Sequence, residues 1–286
     1  MEYTPVIIIG SGRSGTNMLR DIITSIDGFE TWDCDEINPI WRYGNRNYPT
    51  DEIPISKLTP KIKKYIRRRF YGLYKRSKSK FIVEKTCANS LRLEYVFNIF
   101  PEAKYIIINR DGRDVTPSAM KRWGASFELK YTLKKLRHVP LTDLFYYLSK
   151  FGINRIKKIG SKSDSLSFWG PLYKGISEDV VKRSSLEICA NQWKHCAENT
   201  LKQRVNISSE NILDFQYESF VKNPINEMKR FSNFFKLSLS EENIKKLVSG
   251  VSDRSVGSYK KQFNSGEIEL LEEITRPTLD KLNYNK

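Results

Sequence analysis

Gly10-Ser11-Gly12-Arg13-Ser14-Gly15-Thr16-Asn17 is the segment of this 286-residue chain best suited to hold a phosphate. Glycines let an anion approach the backbone, and a loop that opens a helix aims N–H groups and the positive helix end at one point. The frame G-x-x-x-x-G is that of nucleoside-triphosphatase loops, which continue with Lys and Ser/Thr, whereas here Thr16 and Asn17 follow. The phosphate-clamping lysine and the Mg²⁺-binding hydroxyl are missing at their positions, which argues against nucleotide kinase chemistry. Arg110 and Ser118 supply a charged fork and a hydroxyl, groups able to bind an anion. Taken alone, Arg110-Asp111-Gly112-Arg113 reads first as a local salt bridge at a helix start. Lys85 follows an acid, Glu84, with which it could simply pair, and Asp33, Asp35 and Glu36 crowd one short stretch.

These residues stand at the ends of apolar runs. Thr4 to Gly10 reads as a buried strand, a β-branched run ended by glycine, and Gly15 to Ile26 places Met18, Leu19, Ile22, Ile23 and Ile26 on one helical face. A second strand, Phe81-Ile82-Val83, precedes a helix carrying Leu91, Tyr95, Val96 and Ile99 and stopping at Pro101. A third, Lys104 to Asn109, runs into a helix through Met120. Further on, the pattern predicts a helix near Ser185 to Lys202, a strand at Ile212 to Tyr217, and helices at about Ile225 to Phe235 and Glu241 to Ser249. Alternating strands and helices imply an α/β fold on a parallel sheet. Residues 124–180 are aromatic, basic and broken by Pro140, Gly152, Gly160, Gly170, Pro171 and Gly175, so they read as a mostly helical cap inserted into one domain spanning 1–286.

Arg13-Ser14-Gly15-Thr16-Asn17 resembles the [RK]-S-G-T-[ST] loop of the sulfotransferases that use 3′-phosphoadenosine-5′-phosphosulfate (PAPS), departing from it at Asn17. Arg110 to Ser118 resembles that family's 3′-phosphate signature, and Tyr217-Glu218-Ser219-Phe220-Val221-Lys222-Asn223-Pro224 its Y-E-x-[LF]-x-x-x-P segment, whose tyrosine packs near adenine. The resemblance implies a three-layer P-loop-like fold, a donor site drawn from Gly12, Arg13, Ser14, Gly15, Thr16, Asn17, Arg110, Ser118 and Tyr217, and adenosine 3′,5′-bisphosphate (PAP) as product. It also implies a lysine at the oxygen bridging sulfur and phosphorus, here Lys85, with Arg13 as a second catalytic cation. Cytosolic members follow that lysine with Thr-His and use the histidine as base; Cys87 stands there instead. The tyrosyl-protein and carbohydrate enzymes are similar to an alternative with a glutamate after the first helix. Glu36 fits that role, with Asp33 and Asp35 as rivals. Arg254 to Lys261 resembles the basic segment that closes over the 3′-phosphate, with Ser255 and Lys260 as contact candidates, although a plain basic turn would read the same way. The acceptor would be a hydroxyl on a glycan, lipid, peptide or small molecule.

Composition narrows the classes. Hydrophobic residues make up 39% and aromatics 12%, enough for a sizeable core. No apolar run approaches the roughly 18 residues that span a bilayer, and the N-terminus lacks a secretory pattern, so the expected location is the cytoplasm. Four cysteines and two histidines match no zinc pattern, so no metal and free thiols are expected. The net charge of +16 is local: Lys57 to Lys80 carries eleven basic residues and no acid, and Lys121 to Lys162 eleven basic and two acidic. The remainder is net −4. Both stretches are expected either to be solvated faces or to rim the acceptor entrance, drawing an anionic acceptor or a membrane surface. A basic nucleic-acid-binding protein is the alternative from another class, weakened by the absence of any recognition motif.

Overall fold

The computed structural model describes residues 2–123 and 169–284; most of the expected cap and of the second basic stretch lies outside the described residues. Five strands form one sheet: β1 (Thr4–Ile9), β2 (Phe29–Glu30), β3 (Phe81–Lys85), β4 (Lys104–Asn109) and β5 (Ile212–Gln216). Their spatial order is β2-β3-β1-β4-β5, and every pairing is parallel. Parallel strands need helical crossovers that cover both faces, so the central strands are apolar throughout rather than alternating.

The two-residue period sorts those side chains. Ile7, Ile9, Tyr105 and Ile107 face a layer built on α2 (Asn38–Trp41), α3 (Pro60–Ser77) and α4 (Leu93–Ile99), with Trp41, Ile66, Phe70 and Phe100 at its centre. Val6, Ile8, Ile106 and Ile108 face α1 (Thr16–Thr24), α8 (Tyr217–Lys222), α9 (Pro224–Phe235) and α10 (Glu241–Leu247), which contribute Leu19, Ile23, Phe220 and Phe231. The three-layer α/β reading is thus the observed architecture. Beyond β4, α5 (Gly112–Trp123) and α7 (Ser185–Gln203) pack together, with α6 (Ile176–Lys182) and α11 (Ser265–Lys281) against them.

Two local features differ from the sequence reading. β2 is only two residues long, too short for a pattern, and is held by Phe29 stacking on Phe81 at 4.4 Å. The last strand ends at Gln216, so Tyr217 opens a helix instead of closing a strand. The basic stretch from Lys57 is mostly the helix α3. Thr59 caps it by accepting from the Ile62 N–H at 3.3 Å, Pro60 occupies its first turn, and Ile62, Ile66, Phe70 and Leu73 make its buried face. The last part of the expected cap, from Trp169, docks on the body: Tyr173 and Ile176 share a buried cluster with Ala119, Trp123, Ile188 and Cys189.

Among the described residues no helix is long and apolar enough to cross a membrane. The four cysteines are buried free thiols.

Candidate active site

The carboxyl ends of β1, β3 and β4 open onto one cleft of about 660 Å³, where the glycine loop, Lys85 and Arg110 emerge side by side. Crevices at this edge of a parallel sheet are where such folds bind ligands. Gly12, Arg13, Gly15, Thr16, Asn17, Glu36, Lys85, Arg110, Ser118, Tyr217 and Ser255 all line it, drawn from six separate stretches of chain. Two expected residues do not: the Ser14 hydroxyl is buried against Ser11 at 2.5 Å, and the Lys260 ammonium lies over the Tyr259 ring at 5.9 Å.

The loop reverses through two left-handed residues, Arg13 at φ 72° and Gly15 at φ 86°. A non-glycine residue in that region stores strain, which is common where backbone amides must converge on a ligand. Gly15 is also required by space, because a Cβ there would lie 2.5 Å from the Tyr217 ring. Helix α1 starts directly after, with no side-chain cap on its first turn.

Arg13 turns back across the cleft and donates from Nε to Ser118 Oγ at 2.9 Å, joining two motifs more than a hundred residues apart. Arg110 donates from Nη1 to the Arg13 carbonyl at 3.1 Å and from Nη2 to the Ser255 carbonyl at 3.0 Å. Its guanidinium stacks 4.2 Å above the Tyr217 ring, and the Tyr217 hydroxyl meets Ser255 Oγ at 2.9 Å. Arg110 Nε is buried with no hydrogen-bond partner among the described residues. Burial, then Arg122 and Arg110, pull the Arg13 guanidinium below its ordinary value. The corner therefore concentrates like charges that an anion would relieve.

On the other side Lys85, only 3% exposed, donates from Nζ to Glu36 Oε1 at 3.2 Å. The Cys87 N–H donates to the same oxygen at 3.3 Å. Burial opposes the lysine's charge, but Glu36 and Asp35 outweigh it and hold the ammonium firmly protonated. Lys85 does not pair with Glu84: that carboxylate, pushed up to about 7 by burial, instead accepts from Thr86 Oγ1 and from Asn89 Nδ2. Thr86 Oγ1 accepts from the Ile37 N–H at 3.2 Å, which ties the Glu36 loop to the end of β3.

Asp35 is spoken for. Arg20 Nη1 binds one oxygen at 2.5 Å and Asn17 Nδ2 the other at 3.2 Å. Burial raises its carboxyl, but Lys85 and Arg20 prevail and hold it below the usual range, so it is a weak base. The departure at Asn17 thus has a local use, steadying the acidic loop. Cys87, where a histidine would stand, is a buried neutral thiol pushed up to about 12 by burial. His195 is remote from this chemistry, stacked on Tyr173 at 4.4 Å.

Sequence reasoning missed Asp114 and Trp169. Buried Asp114 accepts from the Gly257 N–H at 2.7 Å, the Tyr259 N–H at 3.0 Å and Ser258 Oγ at 3.2 Å, folding the C-terminal basic segment over Arg110. An acid in the first turn of the helix after Arg110 was the available signal. Trp169 lies across the loop, 3.1 Å from where a Gly12 Cβ would stand, and belongs to no motif. Asp114→Ala should cost about 2–4 kcal/mol in urea unfolding and make the 253–259 segment sensitive to protease. An unchanged unfolding midpoint would refute this anchoring role.

A model of the sulfotransferase family matches residues 5–151, just over half the chain and including the loop, Lys85 and Arg110. The chain belongs to the sulfotransferase family. Solved structures resemble this sulfotransferase over nearly its whole length. They include a sulfotransferase domain from the curacin biosynthetic pathway (14% identity, TM-score 0.55, 98% of each chain covered) and sulfotransferase STF9 from Mycobacterium avium (13% identity, TM-score 0.56, 98% of this chain and 77% of that one). A third is mouse sulfotransferase SULT7A1 complexed with PAP (14% identity, TM-score 0.52, 98% of this chain and 85% of that one). At these identities the likeness is one of fold. No curated protein sequence matches the chain.

Proposed function

We propose that the chain moves the sulfuryl group of PAPS to an acceptor hydroxyl, without metal. The observation that carries this reading is the convergence of Arg13 and Arg110 on one cleft wall, with Arg110 Nε buried and unpartnered among the described residues. Like charges held together are costly unless a polyanion joins them, and a donor with a 3′-phosphate and a phosphosulfate supplies that charge. The cleft volume falls in the range of cofactor-sized sites, roughly 300–1,000 Å³.

Bound there, PAPS would supply a sulfuryl group whose bond to the bridging oxygen breaks as the bond to the acceptor oxygen forms. Glu36 takes the acceptor's proton, since Asp35 is occupied by Arg20 and Asn17. Lys85 Nζ, 3.2 Å from Glu36, meets the charge left on the bridging oxygen, so base and leaving-group cation flank one reacting centre. Arg13, the loop amides, Arg110 and Ser118 hold the phosphates.

Thermal unfolding with PAP in EDTA tests the donor site. At a hundredfold excess over Kd the fold should gain about 2.7 kcal/mol, and AMP, lacking the 3′-phosphate, should give less. No shift at saturating PAP, or a shift that needs Mg²⁺, would refute the reading.

A further inference from the structure

Helix α3 carries a second electrostatic feature, remote from the cleft. Lys61, Lys64, Arg68 and Lys75 stand exposed at spacings of three, four and seven residues, one stripe down the outer face of the helix, with Tyr71 between them and 40% exposed. The helix is roughly 27 Å long at 1.5 Å per residue. Its inner cations have structural partners: Arg67 pairs with Glu102 at 2.7 Å and donates to the Ile99 carbonyl, and Lys63 donates to the Asn98 carbonyl. The four outer cations form no ion pair among the described residues. Like charges three and four apart weaken a helix, and a merely solvated face would relieve them with interspersed acids, of which α3 has none.

None of residues 57–80 lines the cleft, so among the described residues nothing supports the expectation that the first basic stretch rims the acceptor entrance. Lys64, Arg67, Arg68 and Tyr71 instead share a shallow groove with Glu2 and Tyr3 at the start of β1. Thr4 N donates to the Lys80 carbonyl, which fixes the end of the basic stretch at this amino edge of the sheet. The cleft opens at the carboxyl edge.

We propose that the outer face of α3 is a docking surface for an anionic membrane. The stripe follows one face of a single helix and carries one exposed aromatic, Tyr71. Single-stranded nucleic acid is held by several exposed aromatics on which successive bases stack, and the stripe offers one. A plane of acidic headgroups meets a row of cations without any stacking partner, and an exposed tyrosine suits the interfacial depth. With only Tyr71 to insert, attachment is electrostatic and reversible. It leaves the cleft, at the opposite sheet edge, open to acceptor.

Co-sedimentation of the full chain with vesicles tests this. Vesicles with about 30% phosphatidylserine should retain the chain at low salt, pure phosphatidylcholine vesicles should not, and about 0.5 M salt should release it. The combined Lys61→Gln, Lys64→Gln, Arg68→Gln and Lys75→Gln variant should lower partitioning by about 10²-fold or more, at roughly fivefold per basic residue, while the thermal shift given by PAP stays as in the parent. Should that variant misfold, Lys61→Gln with Lys75→Gln, at the two ends of the stripe, should still lower partitioning by more than tenfold. Equal binding to neutral vesicles, undiminished binding by either folded variant, or capture by duplex or single-stranded DNA in preference to the vesicles would overturn the proposal.

Discussion

Lys85→Ala should lower turnover by about 10²- to 10³-fold, the scale of losing a preorganised charge at a developing anion, and leave PAP affinity nearly unchanged. Lys85 is buried, kept charged by Glu36 and Asp35, and has no carbonyl or carboxylate partner on its own strand, so its position serves the cleft and not the sheet. Glu36→Gln should cost a comparable factor, about 10²- to 10⁴-fold, because the amide keeps the size of the side chain but takes no proton. The two losses should not multiply in the double variant, since both groups meet one reacting centre. The measurement is transfer of label from PAPS to an acceptor found in a panel of glycans, lipids, phenols and peptides. Normal turnover in Glu36→Gln with loss in Asp35→Asn or Asp33→Asn would reassign the base.

Arg110→Ala should weaken PAP binding by about 10- to 10²-fold, the value of one or two charge-assisted hydrogen bonds, and change AMP binding much less. The side chain has two tasks that separate in this way. Nη1 and Nη2 brace the Arg13 and Ser255 carbonyls, a structural task that both nucleotides would sense, whereas Nε is buried, unpartnered among the described residues and available to an added phosphate. Calorimetric titration of both ligands reads the difference. Equal losses for PAP and AMP would mean that Arg110 only holds the walls together.

The sheet was legible because its strands are buried on both faces. Val6-Ile7-Ile8-Ile9 and Tyr105-Ile106-Ile107-Ile108 leave no polar position, and that pattern points to parallel strands between two helical layers. The glycine loop and Arg110 were legible for a related reason: both follow apolar strands, and such strands end at the edge where ligands bind. A short strand such as β2 carries no period to read, and its existence depends on Phe29 finding Phe81, a contact between residues 52 positions apart.

Charge relations were the part that sequence alone left open. Beside one another in the chain, Glu84 and Lys85 invite pairing, but alternation along β3 sends them to opposite faces, Glu84 to Thr86 and Asn89, Lys85 to Glu36. Among Asp33, Asp35 and Glu36, spacing offered no choice; the fold brought Arg20 and Asn17 from α1 onto Asp35 and Lys85 from β3 onto Glu36. The eleven basic residues from Lys57 to Lys80 could be counted in the chain, but only the packing of α3 on the sheet decided that their outer face lies away from the cleft. Local sequence fixes which faces of strands and helices must be buried, because burial is read from period and composition. Which charged side chains then meet depends on how those buried faces stack, a long-range outcome that no window of adjacent residues contains.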